Sequence, residues 1–90
     1  SFYGLTLNEL VLDECRVHDA DFREGNFADS KMTLCTFDRS LFMHTNLERV
    51  DFSDSTGCSI DVLANELKGA TFSSFEAVHL LESLGIVLVD

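Results

Sequence analysis

Three kinds of side chain in this sequence could do chemistry. Carboxylates adjoin at Asp13-Glu14, a histidine stands beside an acid in Val17-His18-Asp19, and a serine follows a cation in Arg39-Ser40. Held together in a dry cleft, such groups serve as general acids, bases and nucleophiles. Cys15, Cys35 and Cys58 with His18, His44 and His79 are the residue types that ligate zinc. None of them falls in a spacing that performs these tasks. There is no Cys-x-x-Cys pair, glycine-rich phosphate loop, nucleophile elbow or zinc signature. The expectation is a protein without enzymatic activity, metal or cofactor. Cys15 and Cys35 then read as reduced, inward-facing small hydrophobes.

The elements that carry these residues follow from a fixed period. Every fifth residue from Phe2 to Phe72 falls in one frame, and fourteen of its fifteen positions are apolar, Gly57 being the lapse. Two residues earlier in each pentad lies a second frame, from Leu5 to Ala70, of mostly small and uncharged residues. A period of five is neither the 3.6 of a helix nor the 2 of a strand, and a fixed repeat marks a repeat architecture. In an extended segment, residues two apart point the same way, so both frames can face inward. Charge tests this independently. The thirteen acids and six bases of residues 1–72 all avoid both frames, as inward-facing positions require.

Over roughly its first four fifths the chain resembles the pentapeptide-repeat proteins. The residues that carry the likeness are Ala20-Asp21-Phe22-Arg23-Glu24, Thr45-Asn46-Leu47-Glu48-Arg49 and Val50-Asp51-Phe52-Ser53-Asp54. The resemblance implies an all-β fold, a right-handed quadrilateral β-solenoid with four pentads per coil, here about three and a half coils over residues 1–72. Residues twenty apart would then stack, Phe22 on Phe42 and Met32 on Phe52 and Phe72. Residues 55–68 keep the frame poorly: either a loop bulges there, or the register moves so that Cys58 and Ile60 become the inward pair. The frame already runs at Phe2, so the chain is expected to be the C-terminal piece of a longer solenoid.

After Phe72 the period changes. Ser73 or Ser74 can cap a helix, Glu76 suits its first turn and Gly85 its left-handed stop. Ala77, Val78, Leu80, Leu81 and Leu84 form a wide apolar arc, with Phe75 at its edge, and Ile86-Val87-Leu88-Val89 follow. Residues 73–90 are read as a helix and tail that cap the last coil, or that also form a homodimer interface through Phe75, Val78, Leu80, Leu81, Leu84, Ile86 and Leu88. Leu80-Leu81-Glu82-Ser83-Leu84-Gly85-Ile86-Val87 is similar to the ending of the family's quinolone-resistance branch, which implies dimerisation through this element.

Charge bears on the partner. The formal net charge is −10, of which −7 lies in residues 1–72. With the stacking that the resemblance implies, one side carries Asp13, Glu14, Asp51 and Asp54 against Lys31. The adjoining side carries Glu9, Asp29, Glu48 and Glu66 against Arg49 and Lys68. Such faces repel nucleic acid and attract proteins with basic grooves. The quinolone-resistance resemblance implies an acidic DNA mimic that binds DNA gyrase or topoisomerase IV and modulates quinolone susceptibility. A scaffold or interaction module with another protein partner is the second reading. No signal peptide, transmembrane run or lipidation motif is visible, so a cytoplasmic protein without membrane contact is expected, and the resemblance implies a bacterial one.

Overall fold

The computed structural model describes residues 1–90. Strands β1 (Val11–Asp13), β2 (Lys31–Thr33), β3 (Asp51–Phe52) and β4 (Thr71–Phe72) form one parallel sheet in that order. Val11 pairs with Lys31, Lys31 with Asp51, and Asp51 with Thr71, so the chain returns to the same line every twenty residues. Three further lines of single parallel bridges keep the same interval: Thr6–Asn26–Asn46–Glu66, Arg16–Thr36–Thr56 and Asp21–Leu41. Four pentads therefore make one coil.

Each coil turns its corners on a left-handed residue. Every fifth residue from Glu9 to Asp54 has a left-handed backbone, with φ between 52° and 64°. At half of these corners the following residue donates its N–H back over the turn, as in Ser30 to Phe27 O at 3.2 Å and Ser55 to Phe52 O at 3.1 Å. A positive φ at the third residue of such a turn is the type II pattern, ordinarily a glycine position. A side chain in this conformation costs about 1–2 kcal/mol. Hydrogen bonds to the next coil hold the corners nonetheless, such as Asp19 N to Asp38 O at 3.0 Å and Asp29 N to Glu48 O at 2.9 Å.

The inward frame builds the core. Phe22, Phe27, Met32, Phe37, Leu47 and Phe52 are fully buried, and Phe42 nearly so. Phe2, Phe22 and Phe42 stack with near-parallel rings 4.9 and 4.8 Å apart, and Phe52 and Phe72 stack at 5.0 Å. Rings from different sides meet edge to face, as Phe37 does with Phe42 and Phe52 at 5.8 and 5.9 Å. Such pairs add about 0.5–1.5 kcal/mol each beyond their buried area. Gly25 occupies a small-residue slot because the Phe27 ring fills the space: a Cβ there would stand 2.4 Å from that ring.

The small-residue frame does more than save room. Ser30 Oγ accepts from Leu10 N at 3.0 Å and donates to Leu7 O at 3.3 Å. Ser40 repeats this with Ala20 N and Val17 O, and Ser55 with Cys35 N and Met32 O. Asn65 does the same with Thr45 N and Phe42 O. These side chains satisfy inward peptide groups of the preceding coil.

Residues 55–68 take the second of the two expected paths. The corner comes early, at Gly57 (φ +74°), and Cys58 and Ile60 turn inward with 2% and 3% exposure. A short 3-10 turn at Val62–Ala64 follows, its Leu63 N–H capped by the Asp61 carboxylate, and leaves the Leu63 side chain in solvent. The C-terminal helix departs from expectation. It begins as a 3-10 turn at Ser74–Glu76 and becomes α-helical only over Ala77–Glu82 (α1). Ser73 makes no cap, because its Oγ accepts from Asp54 N at 2.7 Å instead. Gly85 is left-handed at φ +82° and accordingly ends the segment.

Replacing Ser55 with alanine leaves Cys35 N–H and Met32 C=O without partners inside the core. The expected loss is about 1–3 kcal/mol of stability, read by denaturant melts of S55A beside S55T. An unchanged midpoint for S55A would mean that the ladder adds nothing.

Candidate functional site

The residues singled out for catalysis or metal binding are dispersed by the coils. Asp19 turns from His18 to Arg39, with Arg39 Nε 2.7 Å from Asp19 Oδ1. Ser40 is buried and donates to Val17 O at 2.6 Å. His18 faces Thr36 at 3.1 Å and Asp38 at 3.6 Å, while His44 and His79 lie 3.6 Å from Glu24 and Glu82. All three cysteines are free. Burial pushes the Cys35 thiol upward, and it pushes Cys58 up to about 12, with the nearby Glu76 carboxylate adding to the effect. Nowhere do three His, Cys, Asp or Glu side chains converge as metal ligands would. No helix is long and apolar enough to cross a membrane.

The acidic sides are divided by the same twenty-residue interval. Corner residues stack into columns, and where an acid of one coil meets a cation of the next they pair. Asp19–Arg39 closes at 2.7 Å and Asp29–Arg49 at 2.6 Å. Asp21 binds Arg23 within its own pentad at 2.8 Å, and Arg23 also lies over the Tyr3 ring at 5.6 Å. Donated hydrogen bonds from these guanidinium groups hold Asp19, Asp21 and Asp29 below the usual carboxylate range.

Three of the eight acids expected to form a partner surface are thus engaged internally. Asp29 is tied to Arg49. Asp51 accepts from Ser53 N at 2.9 Å and from Ser53 Oγ, which lowers its pKa. Asp13 accepts from Thr33 Oγ1 at 2.6 Å. Glu9, Glu14, Glu48, Asp54 and Glu66 have no side-chain hydrogen bond or ion pair, and all but the half-buried Glu48 are exposed. They stand on two adjoining sides. Arg49, expected to oppose the acids there, is consumed by Asp29, leaving Lys31 and Lys68 as those sides' uncommitted cations.

A different side was not singled out in the sequence. Tyr3, Leu41, Met43 and Leu63 are exposed by 54, 47, 48 and 80%. Tyr3, Met43 and Leu63 occupy one position of the coil, which Arg23 shares between the first two. The stacking interval alone would have revealed this column.

Of the residues expected at a homodimer interface, Phe75, Val78, Leu81, Leu84, Ile86 and Leu88 are exposed, each by 39–58%. Leu80 differs. It packs against the core of the last coil because α1 is laid down with that face inward. Glu76, expected in the first turn of the helix, is 4% exposed, and its Oε2 has no partner. Val62 N is anchored to Ser83 Oγ at 3.1 Å, fastening the helix end to the coil.

Residues 20–56 match the family model of pentapeptide repeats, in eight copies. Over those residues the chain carries pentapeptide repeats. The fold is also that of QnrB1, a plasmid-mediated fluoroquinolone resistance protein. The full-length QnrB1 structure gives a TM-score of 0.64 at 22% identity, over 90% of this chain and 40% of that one. Two trypsin-treated QnrB1 variants each give 0.61, at 21 and 20% identity, over 92 and 93% of this chain and 42 and 43% of theirs. The chain spans about two fifths of the length of these structures. No curated protein matches it in sequence.

The lowered aspartates carry a pH dependence. Their stabilisation is complete above the ordinary carboxylate pKa of about 3.9 and is lost as pH falls through their folded values. The melting temperature is therefore expected to fall below about pH 4, and to fall less steeply in a D19N/D29N variant. Parallel curves for the two proteins would show that the pairs do not contribute.

Proposed function

We propose that this chain is part of a non-catalytic, acidic binding protein of the bacterial cytoplasm. It would occupy the basic DNA-binding groove of a type II topoisomerase, gyrase or topoisomerase IV, and so modulate quinolone susceptibility. One observation carries the reading. The coils consume three of the chain's six Lys and Arg side chains in internal ion pairs, yet leave Glu9, Glu14, Glu48, Asp54 and Glu66 unpartnered on two adjoining sides. A rigid array of uncompensated carboxylates can stand in for backbone phosphates, and it excludes nucleic acid itself by repulsion. Likeness in fold to a fluoroquinolone resistance protein supports a role in quinolone susceptibility. The four bridge lines support a four-sided solenoid over residues 1–72, right-handed by the family resemblance, as the rigid body that carries the array. Residues 73–90 act as its cap and as a homodimer interface through Phe75, Val78, Leu81, Leu84, Ile86 and Leu88.

The exposed column of Tyr3, Met43 and Leu63, with Leu41 beside it, favours a second reading. A scaffold could hold another protein by that apolar side, with the acids serving solubility alone. Salt separates the two, since binding through carboxylates weakens as ionic strength rises and apolar docking does not.

Gyrase supercoiling assays with and without a quinolone, across a salt series, test the first reading. Salt-sensitive inhibition or protection is expected, and it should be lost when Glu9, Glu14, Glu48, Asp54 and Glu66 become amides. No effect at micromolar protein would sink it and leave the scaffold. For the interface, sedimentation should give a dimer for the native chain and a monomer for L81E/L84E. A native monomer at all concentrations would remove the dimer.

A further inference from the structure

Nine of the ten left-handed corners between Glu9 and Asp54 carry a charged side chain or histidine, and Leu34 is the exception. Its φ is 54°, fixed by its N–H bond to Ser53 O at 3.0 Å. Its side chain is 51% exposed. Leucine gains nothing for the fold at such a place. Half of the residue stands in water, and the backbone is one that Asn, Asp or Gly adopts at lower cost. Glu14 and Asp54, twenty residues before and after it, occupy the same corner column and make no side-chain contact with a cation. On the same side, Val11 of β1 is 64% exposed. A face made only to resemble phosphates has no use for hydrocarbon at its centre.

We propose that Leu34 is the apolar anchor of the acidic side. The partner it fits is a protein whose basic surface contains an apolar pocket: Leu34 enters the pocket, and Glu14 and Asp54 meet cations at its rim. Interfaces concentrate their binding energy in such central, desolvated residues surrounded by a polar rim. The rim supplies attraction and register, whereas Leu34 makes the docking selective for a protein surface over any merely cationic one. This inference rests on the reading that the acidic sides dock into a basic groove of a topoisomerase.

The test is fluorescence anisotropy of the labelled chain with purified gyrase across a salt series, comparing native protein, L34N and E14Q/D54N. Asparagine tolerates the left-handed corner, so L34N is expected to melt no lower than the native chain. Its affinity should fall about tenfold with the salt dependence unchanged, whereas E14Q/D54N should flatten that dependence. Native-like affinity in L34N, with E14Q/D54N weakened, would overturn the anchor and leave the acidic reading standing. A lower melting temperature for L34N would make Leu34 a packing residue and also overturn it. If native protein fails to bind gyrase, the topoisomerase reading falls and the anchor falls with it.

Discussion

Ser30, Ser40 and Ser55 each place a hydroxyl between a donor and an acceptor of the preceding coil, and the rest of the molecule depends on that arrangement. A chain that bends every five residues cannot pair all its peptide groups strand to strand, and groups facing the core have no water to turn to. The hydroxyl bonds once to an N–H twenty residues back and once to a carbonyl twenty-three residues back. With those groups satisfied, the interior can be narrow enough for phenylalanine rings to stack at the coil spacing. Cys35 fills the same slot less well, its thiol reaching Leu12 O only at 3.5 Å. Gly25 and Val50 offer no donor at all, so the ladder tolerates gaps.

The same interval governs the surface. Stacking by twenty residues puts Asp19 over Arg39 and Asp29 over Arg49, so ion pairs arise between coils without any local sequence signal. Exposed pairs of this kind contribute little individually. Their larger consequence is subtraction: they withdraw cations from the surface and determine which carboxylates remain open to a partner.

The inward frame was fully legible in the sequence, because a period of five over so many residues, with every charge excluded, admits few structures. Phe22 through Phe52 lie where the frame places them. What the frame could not convey was the use made of individual residues. Asp51 and Asp13 look as free as Asp54 in a list of acids, but Ser53 and Thr33 claim them, and only the folded geometry distinguishes the three. Gly57 stood out as a lapse, yet its left-handed corner and the inward turn of Cys58 depend on the approach of Asp38, where a Cβ would lie 2.6 Å from Oδ1. The buried Glu76 was unreadable for the same reason. A first-turn acid is ordinarily solvated, and its burial follows from how a short helix settles on the last coil.

The coil-to-coil hydrogen bonds all run along the stacking direction, and this gives the molecule a mechanical grain. A force drawing the two ends apart along that direction loads the bonds of one coil at a time, so coils would peel in sequence. Each step would free twenty residues, about 70 Å of extended chain, after which the next coil would present the same resistance. Across the stack, a comparable force must shear many ladders together. The body is therefore compliant at its ends and stiff through its waist.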